Sequence, residues 1–352
     1  MSSFVAVIMA GGKGQRFWPL STSSKPKQFL DLERCGRTLI QSTYDRILPL
    51  VNSPADIFIA TGTSYVDLIR EQLPDIAEQN LIIEPVGRDS APAVALASLS
   101  VHERYGDAVM GFFSSDHRIG KPEVFRRTVR QAGELAQSSG GLVTVGIRPT
   151  RAATGYGYLQ MGERVGEHGY RVQQFVEKPN LAKAERYLAE GSYLWNAGIF
   201  VWSSEAILSE LRAHAPELMT PLERAFDERT LESVFPALPK ISVDYAVMEH
   251  TDKAYLVPGD FDWDDIGDWV ALERLLARED DDTNTVVGTH VGLETAGNII
   301  YTETPDDVIV TLGVENLIVV KQGNTVLLVH KDRIQDIKKL LGDKRLAQLA
   351  VV

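Results

Sequence analysis

Along the first 150 residues, short continuous apolar runs alternate with longer stretches whose apolar residues recur every three or four positions. FVAVIM at 4–9, DIFIAT at 56–61, NLIIE at 80–84, DAVMGFF at 107–113 and GLVTVGI at 141–147 have the length and side chains of buried strands. Between them, Leu39, Ile40, Tyr44, Ile47 and Leu48 keep helical spacing up to Pro49. The stretch 64–73 stops before Pro74, 92–104 is alanine-rich with a proline at its start, and 122–138 adds a fourth helix. Strands alternating with helices predict βαβ units and a mainly parallel sheet, whose ligands sit beyond the carboxyl ends of the strands.

From about 151 to 275 the rhythm loosens. YGYLQM, YRVQQFVEK and AGIFVW read as strands, interrupted by helical segments at 181–190, 204–213 and 243–250, and these are expected to extend the same sheet as a lid for a second substrate. After the acidic run Glu279 to Asp282, the strand-like runs NIIY, DVIVTL, NLIVV and TVLLV dominate, and 332–350 looks helical. This change sets a boundary near 280. The expected fold is α/β, a Rossmann-like, mixed but mostly parallel sheet flanked by helices over residues 1–280, with a small β-rich domain over 281–352. No internal repeat stands out.

A chain of 352 residues has room for one large and one small domain, and its apolar and charged content is that of a folded globular protein. Cys35 is the only cysteine, which excludes an intrachain disulfide or a cysteine-built zinc site and suits a reducing cytoplasm. The amino-terminal apolar run is short and lacks a basic flank, and nothing later reaches the ~20 apolar residues of a membrane span. The formal charge of −12 repels nucleic-acid backbones and anionic membranes. A small anionic ligand would therefore need a local cluster of cations, a metal ion, or both.

Such a cluster follows the first strand. In AGGKGQRFWPLSTSSKPKQF, Gly11, Gly12 and Gly14 let backbone N–H groups approach a ligand, and Lys13, Arg16, Lys25 and Lys27 gather four cations within fifteen residues. No Gly-Lys-Ser/Thr ends the loop, so it is not a Walker A element. Phe17 stands at the third glycine position of a dinucleotide fingerprint, so it is not that either. The string resembles the GGxGxRxxPL signature of sugar nucleotidylyltransferases, followed by their PKxF or KP element. With Trp18 and Lys27-Gln28-Phe29 it is similar to the mannose-1-phosphate guanylyltransferase branch.

Two carboxylates stand out as hard donors for magnesium, Asp116 in SSDH and Asp265 in FDWDDIGDW. The resemblance implies that both hold Mg²⁺ or another divalent cation, with Ser115 beside the nucleotide. Ser114 stands where the family usually has proline. No DxD pair surrounds Asp116, which weakens a glycosyltransferase reading, and His117 reads as structural. For the sugar phosphate, Glu177 and Lys178 end the FVEKP strand, where a carboxylate can accept sugar hydroxyls and an ammonium can meet phosphate. Together with Gly157 in TGYGY and Asn196 in WNAG they resemble the family's GYGYI, FxEKP and WNxG motifs in order. EPVGRDSAPA at 84–93 resembles EPxGRNTAPA, with Asp89-Ser90 for the usual Asn-Thr. Glu84 suits the guanine N–H donors and Arg88 suits O6, though Glu84 could equally end a strand and Arg88 could reach phosphate. ISVDYAVME at 241–249 also resembles a family segment; Ser242 or Asp244 in it reads as a helix cap.

The resemblance covers about residues 4–275 in six ordered motifs. It implies transfer of GMP from GTP to mannose 1-phosphate, with Arg16 and Lys27 stabilising the departing pyrophosphate and Lys178 holding the nucleophile. The alternatives are the same chemistry on another hexose or heptose phosphate, a non-catalytic sugar-nucleotide-binding module, and a glycosyltransferase. A homodimer is expected. The chain stops short of the isomerase-type domain of the long bifunctional members, so no phosphomannose isomerase activity is expected.

Overall fold

The computed structural model describes residues 4–12, 14–276, 284–304 and 306–348; Lys13 and the boundary expected near 280 lie outside them. The chain packs into two compact units. The first comprises Met1–Gly11, Gln41–Ser115 and Ile119–Trp263, and the second Gly12–Ile40, Asp116–Arg118 and Asp264–Val352. Among the described residues, no helix is long and apolar enough to cross a membrane.

The first unit is built on a nine-stranded sheet. Its strands are β1 (Phe4–Met9), β2 (Ile57–Gly62), β3 (Leu81–Glu84), β4 (Val109–Ser114), β6 (Leu142–Ile147), β7 (Tyr158–Val165), β8 (Gly169–Val176), β9 (Tyr193–Ser203) and β10 (Ala254–Gly259), in the order β3-β2-β1-β4-β9-β6-β10-β8-β7. The short strands β5 (Arg118–Ile119) and β11 (Trp263–Asp264) lie outside it. β1 to β4 pair in parallel. β9 runs antiparallel to both β4 and β6, so β6 points the same way as β4, and β10 is parallel to β6. Tyr158 lies opposite Trp195 on one side and Val176 on the other. The residues just before β7, just after β8 and near the start of β9 therefore gather at the end of the sheet where β1, β3 and β4 finish.

The period-two alternation of strands sends neighbouring side chains to opposite faces. Val5, Val7, Met110 and Phe112 join the core that includes helices Ser90–Tyr105, Ser204–His214 and Pro216–Asp227, which pack together. Phe113 instead meets Phe125 of helix Pro122–Ser139, ring to ring at 5.8 Å. Helix Pro216–Asp227 was not legible in the sequence because Pro221 lies inside it. An interior proline costs about 3 kcal/mol, and burial of Leu218, Met219, Leu222 and Phe226 offsets it at roughly 1.5–3 kcal/mol per side chain. Where a helix was expected at 243–250, the chain forms a π-helical turn, Asp244–Met248.

In the second unit, β12 (Asn284–Val287), β14 (Asn298–Thr302), β16 (Leu317–Gln322) and β17 (Thr325–His330) form one sheet, and β13 (Thr289–Leu293) and β15 (Val308–Leu312) form another. Contrary to the sequence reading, a repeat is present. Thr289 pairs with Val308, Ala296 with Glu315 and Ile299 with Ile318, all in parallel and all 19 residues apart. What recurs is backbone shape. Left-handed residues fall at Glu294 and Gly297 in one coil and at the equivalent Gly313 and Asn316 in the next. The core of this unit includes Phe17, Trp269, Ile299, Tyr301 and Ile318, with the Trp269 ring 5.4 Å from Phe17 and 5.3 Å from Tyr301. Phe17 is thus a core anchor, which accounts for the missing third glycine.

Asn298 staples the coils. Fully buried, it donates to Asn284 Oδ1, Thr295 Oγ1 and the Val314 carbonyl and accepts from the Leu317 N–H. Asn298→Ala strands these buried partners and should cost about 2–3 kcal/mol, read as a lower urea midpoint for loss of the circular-dichroism signal. An unchanged midpoint would contradict the staple.

Candidate functional site

Of the three loop glycines, only Gly14 is compelled. It has φ 55°, and a Cβ on it would lie 2.4 Å from the Lys27 Cβ. Gly12 faces open space, and Gly11 would bring a Cβ to an ordinary 3.5 Å from Glu84 Oε1. The loop is tied down by Ser21 Oγ, which donates to the Gly14 carbonyl at 2.6 Å, and by Gln28 Nε2, which donates to the Gly12 carbonyl at 3.0 Å. Arg16 sits half-buried in the 3-10 turn Gln15–Phe17, and Lys25 is exposed.

Lys27 is only 5% exposed. An ammonium has three N–H donors, and this one meets the carbonyls of Asp265 and Ile266 at 2.8 and 3.0 Å and Asp116 Oδ2 at 2.8 Å. Burial works against ionisation of Asp116, but the Lys27 ammonium outweighs it, with His117 adding to the effect, and the pKa falls below the ordinary carboxylate value. Gly267 leaves room for the neighbouring carboxylate, since a Cβ there would lie 2.9 Å from Asp265 Oδ2. Among the described residues, no three His, Cys, Asp or Glu side chains form a metal cage. Two aspartates are the kind of hard oxygen donor that Mg²⁺ takes when phosphate and water complete its shell, so the chemistry of Asp116 and Asp265 fits that ion.

At the carboxyl ends of the parallel strands of the first unit lie Gly11 after β1, Glu84 closing β3, and Ser115 after β4, whose N–H donates to the Met9 carbonyl at 3.1 Å. Arg88, in the loop after β3, has a buried Nε without a hydrogen-bond partner among the described residues. Glu84 is 5% exposed, and burial pushes its pKa up to about 7.

The same end of the sheet carries the second cluster. Asn196 N–H donates to the Gly157 carbonyl at 2.8 Å, and a Cβ on Gly157 would lie 2.5 Å from Glu177 Oε2. Lys178 Nζ is 2.5 Å from Glu177 Oε1, and Lys178 itself has φ 46°, a strained backbone of the kind found at functional positions. Burial works against the Lys178 ammonium, but Glu177 outweighs it and raises its pKa. Gly157, Glu177, Lys178 and Asn196 are therefore brought together at this end of the sheet. Two neighbours were missed. Arg151 stacks over Trp195 and Tyr156, with its guanidinium carbon 5.1 and 5.6 Å from the ring centres, and lies three residues before the TGYGY string. Asp244 Oδ1 accepts from Asn196 Nδ2 at 2.9 Å. The cap expected in ISVDYAVME is Ser242, which accepts the Tyr245 N–H at 3.4 Å, and Asp244 turns to Asn196 instead.

A glycine loop that wraps a lysine, an aspartate carboxylate paired with that lysine, and a Glu-Lys pair at a sheet end suit a phosphate-handling enzyme. Residues 5–281 match the model of the Nucleotidyl transferase family, and residues 288–344 match that of the MannoseP isomerase/GMP-like beta-helix domain. The chain belongs to the nucleotidyl transferase family. Within it, the chain is similar to mannose-1-phosphate guanylyltransferases. It is 38% identical over 352 residues to that of Salmonella typhimurium (96% of this chain, 72% of the relative) and 37% identical over 357 residues to that of Escherichia coli K12 (97% and 73%). It thus spans just under three quarters of each relative. A crystal structure of mannose-1-phosphate geranyltransferase from Thermus thermophilus superposes with a TM-score of 0.88 at 38% identity, over 98% of this chain and 99% of that one.

The Glu84 shift has a stability signature. Below its ordinary pKa of 4.5 the side chain is protonated whether the chain is folded or unfolded. As pH rises toward about 7 the unfolded chain ionises first, so the folded state loses roughly 3 kcal/mol relative to it, a loss complete above that pH. Glu84→Gln should remove this dependence. Urea unfolding should show the variant gaining about 2–3 kcal/mol on wild type between pH 4 and pH 8; an equal difference at both would refute the buried carboxyl.

Proposed function

We propose that this chain transfers GMP from GTP to mannose 1-phosphate, producing GDP-mannose and pyrophosphate. The observation that carries the chemistry is Lys27, which draws the Asp116 carboxylate and the Asp265 turn onto one buried ammonium behind the glycine loop. The choice of guanine and mannose is supported by the relatives, whose names carry both. A phosphate oxygen of the sugar phosphate attacks the α-phosphorus of GTP, a new P–O bond forms, and the bond to the bridging oxygen breaks with its electron pair leaving on pyrophosphate. The nucleophile is already anionic, so the protein needs to position and neutralise rather than abstract a proton.

In this reading Lys178 holds the sugar phosphate while Glu177, Asn196 and the Gly157 backbone meet the sugar. Gly11, Gly12, Gly14, Lys13 and Ser115 receive the nucleotide, with Glu84 and Arg88 toward the base. Arg16 and Lys27 offset charge on the departing pyrophosphate, Lys27 by keeping Asp116 in place. Asp116 and Asp265 would hold Mg²⁺, which supplies positive charge to the phosphates when bound. A reducing, cytoplasmic setting agrees with the free, exposed Cys35.

Purified protein given Mg²⁺, mannose 1-phosphate and each nucleoside triphosphate in turn should release pyrophosphate with GTP. Preference for another nucleotide or sugar phosphate would overturn the assignment, and release of a nucleoside diphosphate would overturn the reaction class. Lys27→Ala should lower kcat by about 10²- to 10³-fold, by analogy with removal of a group that stabilises developing charge, and a rate within a few-fold of wild type would remove its role.

The chain is further read as a homodimer through its carboxy-terminal strands. Val291 and Leu293 of β13 and Val308, Val310 and Leu312 of β15 are each more than half exposed, and none of the ten residues of these two strands carries Asp, Glu, Lys or Arg. For a molecule of charge −12, a charge-free apolar face is where a second copy can approach without repulsion. Sedimentation equilibrium should give twice the chain mass, and Val310→Glu should give monomers. A wild-type monomer at every concentration would contradict the pairing.

A further inference from the structure

The segment from Ile241 to Glu249 has no part in the reaction as described, yet it is fixed in place. Ser90 Oγ accepts the Val243 N–H at 2.9 Å, and the Ala91 N–H donates to the Ile241 carbonyl at 3.1 Å. The start of helix Ser90–Tyr105 thus grips a stretch some 150 residues later, and Val243, Ala246, Val247 and Met248 bury its other side.

Two side chains leave this anchored turn for the sugar-phosphate cluster. Glu249 Oε1 accepts the Glu177 N–H at 2.8 Å, and Asp244 Oδ1 accepts Asn196 Nδ2 at 2.9 Å. The orientation of the Asn196 amide is fixed by its other end, where Oδ1 accepts from Thr144 Oγ1 at 2.9 Å and from the Gly198 N–H at 3.1 Å. Only its donor group can face Asp244.

The cluster also has a charge imbalance. Lys178 pairs with Glu177 at 2.5 Å and lies within electrostatic reach of Asp244, as Glu177 does, so two carboxylates share one ammonium. Such a group has acceptors in excess. A phosphate brings more acceptors and is drawn to the ammonium, whereas neutral hydroxyls bring donors that two carboxylates can receive. With no Cβ on Gly157, Glu177 Oε2 packs directly against that glycine, 2.5 Å from where a Cβ would stand.

We propose that Asp244 is a specificity-determining residue of the sugar-phosphate site: its carboxylate accepts a hydrogen bond from a ring hydroxyl of the sugar and, with Glu177, reads the stereochemistry of the hydroxyl-bearing face. This rests on the reading of Glu177 and Lys178 as the sugar-phosphate site.

The test is titration calorimetry of mannose 1-phosphate, its epimer glucose 1-phosphate and inorganic phosphate against wild type and Asp244→Asn, alongside steady-state kinetics for both substrates. Asp244→Asn should weaken mannose 1-phosphate at least tenfold and narrow the ratio between the epimers, with inorganic phosphate and the KM for GTP within twofold of wild type. The unchanged GTP value shows that the variant is folded. Affinities and epimer ratio equal to wild type would overturn the proposal. So would an equal loss for both epimers and inorganic phosphate, which would mark Asp244 as structural support. Wild type that turns over GTP with mannose 1-phosphate while Asp244→Asn matches it defeats the Asp244 assignment alone; wild type that binds no sugar 1-phosphate defeats the underlying reading as well.

Discussion

An ammonium taken out of water stays charged only where its donors are met, and Lys27 meets all three on residues far away in sequence. Losing either set of acceptors would leave a desolvated charge behind, a penalty of several kcal/mol. The geometry around it follows from that constraint. Gly14 must be a glycine because the Lys27 backbone comes within 2.7 Å of where its Cβ would be, and Asp116 is held ionised because its partner cannot turn away. A flexible surface lysine would give none of this, since exposed ion pairs contribute at most about 1 kcal/mol.

The consequence for chemistry is pre-organisation. Carboxylates that receive a cation must already be deprotonated and aimed, or part of the binding energy goes into arranging them. Lys27 neutralises Asp116 with one contact and fixes the Asp265 turn with two. On the proposed reading that makes Lys27 a positioning residue, which refines the simpler idea of a lysine that merely offers charge to pyrophosphate.

Much of this was legible in the sequence. The strand read at 4–9 forms there, and the one read at 141–147 forms at 142–147, because continuous apolar runs suit strands buried on both faces. Gly157, Glu177, Lys178 and Asn196, singled out in the sequence by their motifs, lie at one sheet end because each falls at or near a strand terminus. What escaped depends on long-range partners or on backbone shape. The 19-residue coil repeat leaves only Val291/Val310, Leu293/Leu312 and Ile299/Ile318 identical between its paired strands, since stacking asks for apolar inward positions and left-handed corners rather than fixed side chains. Whether Asp244 caps its own turn or bonds Asn196 depends on a residue 48 positions away, which no local pattern reports.

The charge distribution carries one more implication. Buried carboxylates are costly, and this acidic chain keeps two, Glu84 and Asp244, where burial raises their pKa to about 7. Desolvation is the first cause for both, and the Glu177 charge adds to it at Asp244. Each is therefore poised between a neutral resting form and an ionised form that a donor-rich ligand would stabilise. A guanine edge and a sugar ring both present donors, while the phosphates between them present none. On the proposed reading, acceptors thus sit where the ligands are neutral and cations where they are anionic, and substrate binding itself supplies what keeps these carboxylates charged.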